Sequence, residues 1–391
     1  MSPQDHAAPS YEKASPMFQA SITRRTVLAS AGLAAAGLLA SGCTVSDIPR
    51  KANGMPSTPT IPRFPAEWEP HARTVMSWPT SRIWAEDTPY VRADIANIAR
   101  TLAESEPVLL MASPDEAEDA ARRCGSLVEV VPIPVDDLWA RDTVPVFIEN
   151  ADGVAGVDFN FNGWGDKQLH TRDGAVASEV LQELRIPRIN TSLVAEGGSF
   201  ETDGEGTLLV TRSSIVNPNR NPGLSEAQID AELRQLLALD RVIWFDGVVG
   251  EDITDAHVDS LARFAAPGVI LLDVPGPDSP EDVWSRSSAQ AREVLERETD
   301  ARGRGFEIVE LPQPDFGRIR GTGDDFLASY VNYFVGNEVL LVPEFGDRRA
   351  DRRARDILAE HYPSRDIVPL RIDEIASGGG GIHCATHDVP A

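Results

Sequence analysis

The sequence predicts a mixed α/β fold, because two hydrophobic patterns alternate along most of the chain. The first pattern places apolar residues three or four positions apart, which is typical of amphipathic helices. It occurs near residues 91–104, 114–123, 173–184, 225–238, 284–301 and 347–360. The second pattern consists of short apolar runs such as VLLMA, TLLVT and RVIWF, which indicate strands. These strand runs are more numerous than a simple doubly wound sheet needs.

The first 43 residues are predicted to be an export signal rather than part of the fold. Arg24 and Arg25 precede an apolar run rich in Ala and Leu, which is the arrangement of twin-arginine signals. The run is too short and too weakly apolar to predict a membrane span. It ends in LASGC, which resembles a lipoprotein cleavage box with Cys43 as the lipidated residue; simple cleavage into the medium is the alternative. We therefore expect an extracytoplasmic protein, attached to the membrane only through a lipid on Cys43.

Residues 44–63 are rich in Pro, Ser and Thr, a composition typical of a linker. The remaining segment, 64–391, has about 330 residues, which is enough for one large domain or two ordinary ones. All of the helix and strand patterns fall within it, so this segment is predicted to carry the fold.

The composition of the chain limits the classes of ligand. With 42% hydrophobic and 25% charged residues it is that of a soluble globular protein. The formal net charge of -25 at pH 7 argues against nucleic acid, whose phosphates would be repelled. There is no Walker lysine motif and no GxGxxG after a strand, so nucleotide binding is not expected. We expect a small neutral or cationic ligand and no cofactor.

Beyond Cys43 the chain has two cysteines, Cys124 and Cys384, and they differ in context. The two could form one disulfide in an exported protein. Cys124 closes a helical pattern that ends at Gly125, which predicts a structural thiol. Cys384 instead follows four glycines and His383, in SGGGGIHC. Backbone without side chains beside a thiol and an imidazole predicts a place where a small molecule comes close, and a flexible tail is the alternative.

Polar residues that could carry chemistry occur in loops beside several of the predicted strands. They include Asp142 in DLWARDTVPVF, Glu196 before a glycine pair, the loop NPNRNP at 217–222, and the pair His257 and Asp259. Each of these stretches alone is commonly an ion pair or a turn. On a strand, His257 and Asp259 would share one face.

Together with Cys384, these residues point to one kind of chemistry. Carboxylates are only acceptors, so they cannot stabilise the oxyanion formed from an ester or an amide. They do match the planar fork of donors of a guanidinium group. The set therefore predicts a cysteine nucleophile that attacks the carbon of a bound guanidinium.

Seven collinear motifs resemble a known family. They are WARDTVPVF, EGGSFETDGEGTLLVT, NPNRNP, DITDAHVDSLARF, SYVNYF, LLVPEFGD and GGGGIHCAT, preceded by EWEPHARTVMSWP at 67–79. The family is that of the agmatine deiminases and bacterial, Porphyromonas-type peptidylarginine deiminases, and the resemblance extends from about Phe64 to Thr386. It implies a single domain with the pentein fold: an α/β propeller of five strand–strand–helix–strand modules, with the site at its centre.

The resemblance also implies a role for each motif residue. Cys384 matches the nucleophile, His257 the general acid/base, Asp142 and Glu196 the carboxylates that hold the guanidinium, and Asp259 a further catalytic carboxylate that also contacts substrate. Trp139 matches an aromatic residue that lines the pocket, and Gly380 and Gly381 lie beside the thiol. The implied reaction is hydrolytic deimination through a covalent thiouronium, with agmatine giving ammonia and N-carbamoylputrescine, a precursor of putrescine. The substrate would be agmatine or, as the alternative, peptidyl-arginine; free arginine is the third guanidino compound to compare.

The chain departs from the family pattern at three places. Gly381 stands where asparagine is frequent, and His387 stands where glutamine is common. Ile253 occupies a position where many agmatine deiminases carry an acidic residue suited to the amine of agmatine. On a strand, Asp255 would face the same way as His257, so Asp255 is the predicted partner of a distal cation.

Two other classes of function remain open at this point. His383 and His387, with His257 and Asp259, could be drawn as zinc ligands of a metallohydrolase, although no water-activating glutamate lies between the first two. A non-catalytic lipoprotein could also bind arginine-like solutes with the same carboxylates. We expect no metal, because the glycine run and Pro390 disfavour a helix that would carry His383 and His387 on one face. A binding protein would have no use for the Cys–His pair.

Overall fold

The computed structural model describes residues 62–276, 279–321, 323 and 325–391. The predicted export signal, Cys43 and most of the predicted linker lie outside these residues. In the part of the chain that is described, none of the helices combines the length and the apolar character needed to cross a membrane.

Sixteen strands lie within the described residues. They are β1 (His71–Ser77), β2 (Val108–Met111), β3 (Val128–Val131), β4 (Val146–Asn150), β5 (Gly153–Asp158), β6 (Arg188–Asn190), β7 (Glu201–Thr202), β8 (Thr207–Thr211), β9 (Arg241–Phe245), β10 (Ala262–Ala266), β11 (Val269–Val274), β12 (Glu307–Pro312), β13 (Phe334–Val335), β14 (Val339–Glu344), β15 (Asp366–Arg371) and β16 (Thr386–Pro390).

The same residues contain eleven helical segments, several of them a single turn. They are α1 (Ser81–Trp84), α2 (Thr88–Leu102), α3 (Ala117–Cys124), α4 (Ala140–Thr143), α5 (Gly163–Asp166), α6 (Asp173–Leu184), α7 (Arg212–Ile215), α8 (Glu226–Leu237), α9 (Val283–Leu295), α10 (Arg348–His361) and α11 (Asp373–Ala376). Short 3₁₀ turns occur at Ala85–Asp87, Gly197–Ser199 and Val258–Ser260.

The strands form five separate sheets that repeat one topology. Four of them, β4–β5–β6, β7–β8–β9, β10–β11–β12 and β13–β14–β15, follow chain order. In each, the first two strands pair antiparallel and the third pairs parallel after a helix, as β6 does with β5 after α6. A parallel pair needs such a crossover, whereas an antiparallel pair can be joined by a short turn. The predicted α/β class and its five strand–strand–helix–strand modules are confirmed.

The remaining sheet joins the two ends of the domain. Its strand order is β16–β1–β2–β3, and β16 pairs antiparallel with β1, which places His387 opposite Val75. The C-terminal segment that carries Cys384 therefore leads directly into a sheet strand. Cys384 is held by backbone pairing two residues later, and the alternative of a flexible tail is wrong.

Most of the predicted elements are present, and their ends have local causes. The helix predicted at 173–184 is α6, and α3 ends at Cys124 before Gly125, which has a φ of 82°. A capping box between Ser225 and Gln228 begins α8. The helix predicted at 284–301 ends early, at Leu295 in α9, and Asp300 soon afterwards accepts backbone N–H groups in a turn. Six strands were not predicted, because they are short or mixed in polarity: β1, β6, β7, β10, β13 and β16.

Apolar side chains are buried between consecutive modules rather than in one central core. Ile229, Leu233 and Leu237, spaced four apart on α8, have no exposed surface and pack in a cluster with residues of β4, β5, β8 and β9. Each such side chain contributes roughly 1.5–3 kcal/mol by leaving water. Because the modules pack in this way, the polar ends of several segments lie close together.

Candidate active site

Four short segments from distant parts of the chain meet at the site. The helical turn α4 contacts the 3₁₀ turn Gly197–Ser199 and the strand β16, and Gly197–Ser199 contacts the turn Val258–Ser260. The Arg141 N–H donates to the Cys384 carbonyl over 3.1 Å, and the Gly198 N–H donates to Oδ1 of Asp142 over 3.0 Å. These backbone contacts bring Cys384, His257, Asp142, Glu196 and Asp259 into one cluster.

The Cys384 sulfur is enclosed by polar groups, although the residue as a whole keeps some exposure. Nδ2 of Asn332 donates to the sulfur over 3.3 Å, and Oδ1 of Asn332 accepts the Cys384 N–H at the same distance. The thiol donates to Oδ2 of Asp259 over 3.5 Å. Asn332 was not predicted as a site residue; its signal was the motif SYVNYF, in which no residue had been given a role.

The imidazole of His257 lies between two carboxylates. Nε2 is 3.3 Å from Oε2 of Glu196, and Nδ1 is 3.6 Å from Oδ1 of Asp142. Burial by itself would lower the pKa of His257, but the charge of Asp142 and the hydrogen bond to Glu196 outweigh it and raise the pKa to about 9. At neutral pH, His257 is therefore an imidazolium that can donate a proton.

Asp142 and Glu196 are each oriented by a fixed donor. Nε1 of Trp164 donates to Oδ2 of Asp142 over 2.9 Å, and Nε of Arg220 donates to Oε1 of Glu196 over 2.9 Å. Burial raises the pKa of Asp142, whereas His257 and Arg220 overcome burial and lower the pKa of Glu196. Trp164 and Arg220 were also missed; Arg220 stands in NPNRNP, which had been noted only as a polar loop.

The protein groups around Cys384 disfavour the thiolate. Burial of the sulfur, together with the negative charges of Asp259 and Asp142, raises the pKa of the Cys384 thiol well above its ordinary value. A cation placed among these carboxylates would reverse the electrostatic part of that effect. The arrangement suits a nucleophile that is activated by its own cationic substrate.

The glycine run is required by close packing. A Cβ on Gly380 would lie 2.1 Å from the ring of Trp139, and a Cβ on Gly381 would lie 2.4 Å from Oδ1 of Asn332. A Cβ on Gly378 would likewise lie 2.2 Å from the ring of Trp84. The glycines thus let the backbone contact Trp139 and Asn332 directly, and both of these residues belong to the surroundings of the thiol.

The structure contradicts the prediction for Asp255. The segment that holds it is not a strand: Asp255 and Ala256 have φ values of 60° and 65°, and Val258–Ser260 is a 3₁₀ turn, so the expected alternation of side chains is wrong. Oδ2 of Asp255 already accepts from Lys167 at 2.7 Å and Arg220 at 2.6 Å, and Oδ1 accepts the N–H of Gly250. In the structure, the charge of Asp255 is thus already paired with two cations.

The histidines drawn as zinc ligands have separate partners. His383 lies between Asp259 and Glu67, whereas Nδ1 of His387 is 3.1 Å from the carbonyl of Arg141. His257 faces Glu196 and Asp142. Among the described residues, no group of three or more His, Cys, Asp or Glu side chains is arranged to hold a metal ion.

Comparison with known proteins places the whole domain in one family. The model of the Porphyromonas-type peptidyl-arginine deiminases matches residues 63–390. The agmatine deiminase of Stutzerimonas stutzeri is 38% identical over 353 residues, which cover 84% of this chain and 95% of the relative. The agmatine deiminase of Medicago truncatula is 34% identical over 372 residues, which cover 86% of this chain and 99% of the relative.

A solved structure agrees with the sequence comparisons. The agmatine deiminase of Enterococcus faecalis superposes with a TM-score of 0.79 at 29% identity, over 84% of this chain and 96% of that one. The match supports the five-module pentein fold. The chain belongs to the agmatine deiminase and Porphyromonas-type peptidyl-arginine deiminase family of hydrolases, which act on guanidino groups.

Proposed function

We propose that this protein hydrolyses agmatine to N-carbamoylputrescine and ammonia. The observation that carries the proposal is the convergence of the Cys384 thiol, the His257 imidazolium and three carboxylates in one buried cluster. The curated relatives with 34–38% identity that cover 84–86% of the chain and are named agmatine deiminases support agmatine over the other guanidino compounds.

The carboxylates hold the guanidinium before the reaction. Asp142 and Glu196 keep lone pairs free after accepting from Trp164 and Arg220, and those lone pairs accept N–H groups of the planar cation. The bound cation offsets the negative charge that opposes ionisation of Cys384. Trp139, packed on Gly380 beside the thiol, forms an apolar wall for the substrate.

The chemistry then proceeds in two halves. When the cation binds, the Cys384 thiol loses its proton to solvent. The thiolate then attacks the guanidinium carbon, and the electron pair of the C=N bond moves onto nitrogen. His257 donates its proton to the departing nitrogen, so that ammonia leaves and an S-alkylthiouronium remains. Neutral His257 next removes a proton from water, whose oxygen attacks the same carbon. Collapse of this adduct expels the sulfur and releases the ureido product.

The amine end of agmatine needs recognition by groups other than the predicted aspartate. Asp255 is paired with Lys167 and Arg220, and Ile253, which replaces the acidic residue frequent in the family, packs against a hydrophobic cluster that includes Trp139. We infer that the aliphatic arm of the substrate contributes more to binding here than the terminal ammonium does.

The test uses the full chain with three substrates: agmatine, free arginine and an arginine-containing peptide. Wild-type protein is expected to release ammonia and a ureido product from agmatine, and Cys384→Ala should lower the rate by about 10⁴-fold or more. Cys124→Ala is the matched control, because that thiol is buried among apolar side chains at the end of α3. Citrulline formed only in the peptide would refute agmatine as the substrate, and no ammonia from any substrate would refute the reaction.

We also propose that residues 1–43 direct export by the twin-arginine route and that Cys43 carries a lipid. The support is the sequence alone: the Arg24–Arg25 pair, the short apolar run and the LASGC ending. This route carries folded proteins, so the domain would fold before it crosses the membrane.

A further inference from the structure

The histidine that precedes the nucleophile is held between two carboxylates. His383 is 2% exposed; its Nδ1 is 2.8 Å from Oδ2 of Asp259, and its Nε2 is 2.9 Å from Oε2 of Glu67. An ionised carboxylate only accepts hydrogen bonds. Each ring nitrogen faces a carboxylate oxygen, so the ring can donate to both carboxylates only in its imidazolium form.

One carboxylate oxygen contacts both the His383 ring and the Cys384 sulfur. Oδ2 of Asp259 accepts from His383, and the same atom is the acceptor for the Cys384 thiol, 3.5 Å away. We propose that His383 and Glu67 extend the catalytic site: His383 holds a positive charge behind Asp259 and thereby makes the Cys384 thiol easier to ionise. His383 acts through Asp259, so it is a positioning residue rather than a catalytic one.

Glu67 is itself anchored, which makes the position of His383 rigid. Its Oε2 accepts from Nη2 of Arg141 over 2.6 Å, and its Oε1 accepts from Nη2 of Arg263 over 2.7 Å and from the Val335 N–H. Burial opposes ionisation, but Arg263, His383 and Arg141 hold the pKa of Glu67 well below its usual range. Glu67 is therefore ionised, and its contact with the His383 ring keeps that ring oriented toward Asp259.

The charged and titratable groups around His383 all have assigned partners. Asp259 and Glu67 contact the ring, and Nε of Arg141 donates to the His383 carbonyl. Further out, Glu201 pairs with Arg263, and Asp388 pairs with Arg141. Burial and the charge of Arg141 lower the pKa of the neighbouring His387 to about 3, so that ring stays neutral. Of these groups, His383 is the one whose side chain contacts Asp259 directly.

A substitution can remove the charge while one hydrogen bond remains. In His383→Gln the amide can donate to Asp259 but carries no charge. The pH at which the thiol of the empty protein becomes reactive should then rise by about one to two units, the size expected for a charge several ångströms away in a partly screened interior. With agmatine, kcat should fall more than KM rises.

His387→Gln is the matched control, because that residue is a second buried histidine, four positions along, without contact to Asp259. The measurement is the rate of iodoacetamide alkylation of the full-length protein against pH, followed by mass spectrometry on the peptide that contains Cys384. His383→Gln should shift the profile and His387→Gln should not. Superimposable profiles for wild type and His383→Gln, or equal shifts in both variants, would overturn the proposal.

Wild-type protein provides a second readout that does not depend on the variant folding. In ¹⁵N spectra of histidine-labelled protein at pH 7.5, His383 should be protonated on both nitrogens and His387 on one. A neutral His383 would overturn the proposal. The inference rests on Cys384 as the nucleophile of the proposed function, yet alkylation and the spectra need no substrate, so its failure is distinguishable from a failure of agmatine turnover.

Discussion

At the scale of single residues, His257 determines which proton the site can deliver. Its two ring nitrogens lie near Asp142 and Glu196, and these carboxylates raise its pKa to about 9 despite burial. In the proposed reaction, this imidazolium protonates the departing nitrogen at neutral pH. The pKa of the Cys384 thiol is raised, and the His257 ring, with a proton on both nitrogens, cannot accept the proton of the thiol. A bound cation is therefore needed to favour the thiolate.

The pH dependence of turnover follows from the raised pKa of His257. His257 is fully protonated below pH 6.5, the ordinary pKa of histidine, and it loses its proton as the pH rises through about 9. We expect kcat/KM for agmatine to fall above pH 9, by about tenfold per unit once the ring is neutral. The same shift contributes on the order of 3 kcal/mol to the free energy of unfolding below pH 6.5, and this contribution disappears over the same range.

Initial rates at pH 6 to 10.5, with urea unfolding at the two ends of the range, check both statements. A falling limb centred near pH 7 would contradict the placement of His257 between two carboxylates.

At the scale of elements, short turns rather than long helices carry the site. Asp142 lies on the single turn α4, and Glu196 and Asp259 belong to or adjoin 3₁₀ turns. Cys384 lies in the turn between α11 and β16. Because each segment is short, its direction is set by neighbouring strands and by contacts such as Gly198 with Asp142.

The segment between α11 and β16 offers a test of that close packing. Gly380→Ala adds a Cβ that would lie 2.1 Å from the Trp139 ring, so the ring or the backbone must move. Since small displacements of positioning groups are costly to catalysis, kcat/KM for agmatine should fall about 10- to 100-fold. Steady-state kinetics measures the loss.

Gly305→Ala serves as the control for this substitution. A Cβ at Gly305 meets no atom within 4 Å and the backbone there needs no positive φ, so its activity should equal that of wild type. Equal kinetics for both variants would mean that Trp139 has no part in the site.

At the scale of the whole molecule, charged side chains from different modules meet in one buried network around Glu67. Glu67, ahead of β1, binds Arg141 of α4 and Arg263 of β10, which belong to different modules. Removing one member of such a buried network leaves uncompensated charges, whereas an exposed pair such as Arg73 with Glu129 contributes little. The same network ties the arrangement of the modules to the surroundings of Cys384.

Export concerns the chain as a whole, and it has a direct test. Replacing Arg24 and Arg25 by lysines should leave the protein in the cytoplasm, because twin-arginine signals depend on that pair. Cys43→Ser should still be exported but should lose lipid labelling and move from the membrane to the soluble fraction. Fractionation with immunoblotting measures both outcomes. Export that is indifferent to the arginine pair would refute the route.

Much of the local structure and of the site chemistry could be predicted from the sequence. The six helical stretches and ten apolar runs depend on periodicity that is visible within a dozen residues, and α6 has the predicted ends, Asp173 and Leu184. The motifs predict five site residues that lie in one cluster in the structure: Cys384, His257, Asp142, Glu196 and Asp259. Two-residue strands such as β7 and β13 were not predicted from the sequence, because they form only through pairing with their neighbouring strands.

The sequence by itself determined the α/β class and the guanidino group as the target, and it predicted Cys384 as the nucleophile, because these depend on residue types and their local order. Only the tertiary structure decided which charges are left unpaired. It pairs the carboxylate of Asp255 with Lys167 and Arg220. It also places Asn332 against the Cys384 thiol and His383 against Asp259. The physical reason is that the charge and protonation of a buried group depend on neighbours in space, and these neighbours come from segments 35 to 124 residues apart in the chain.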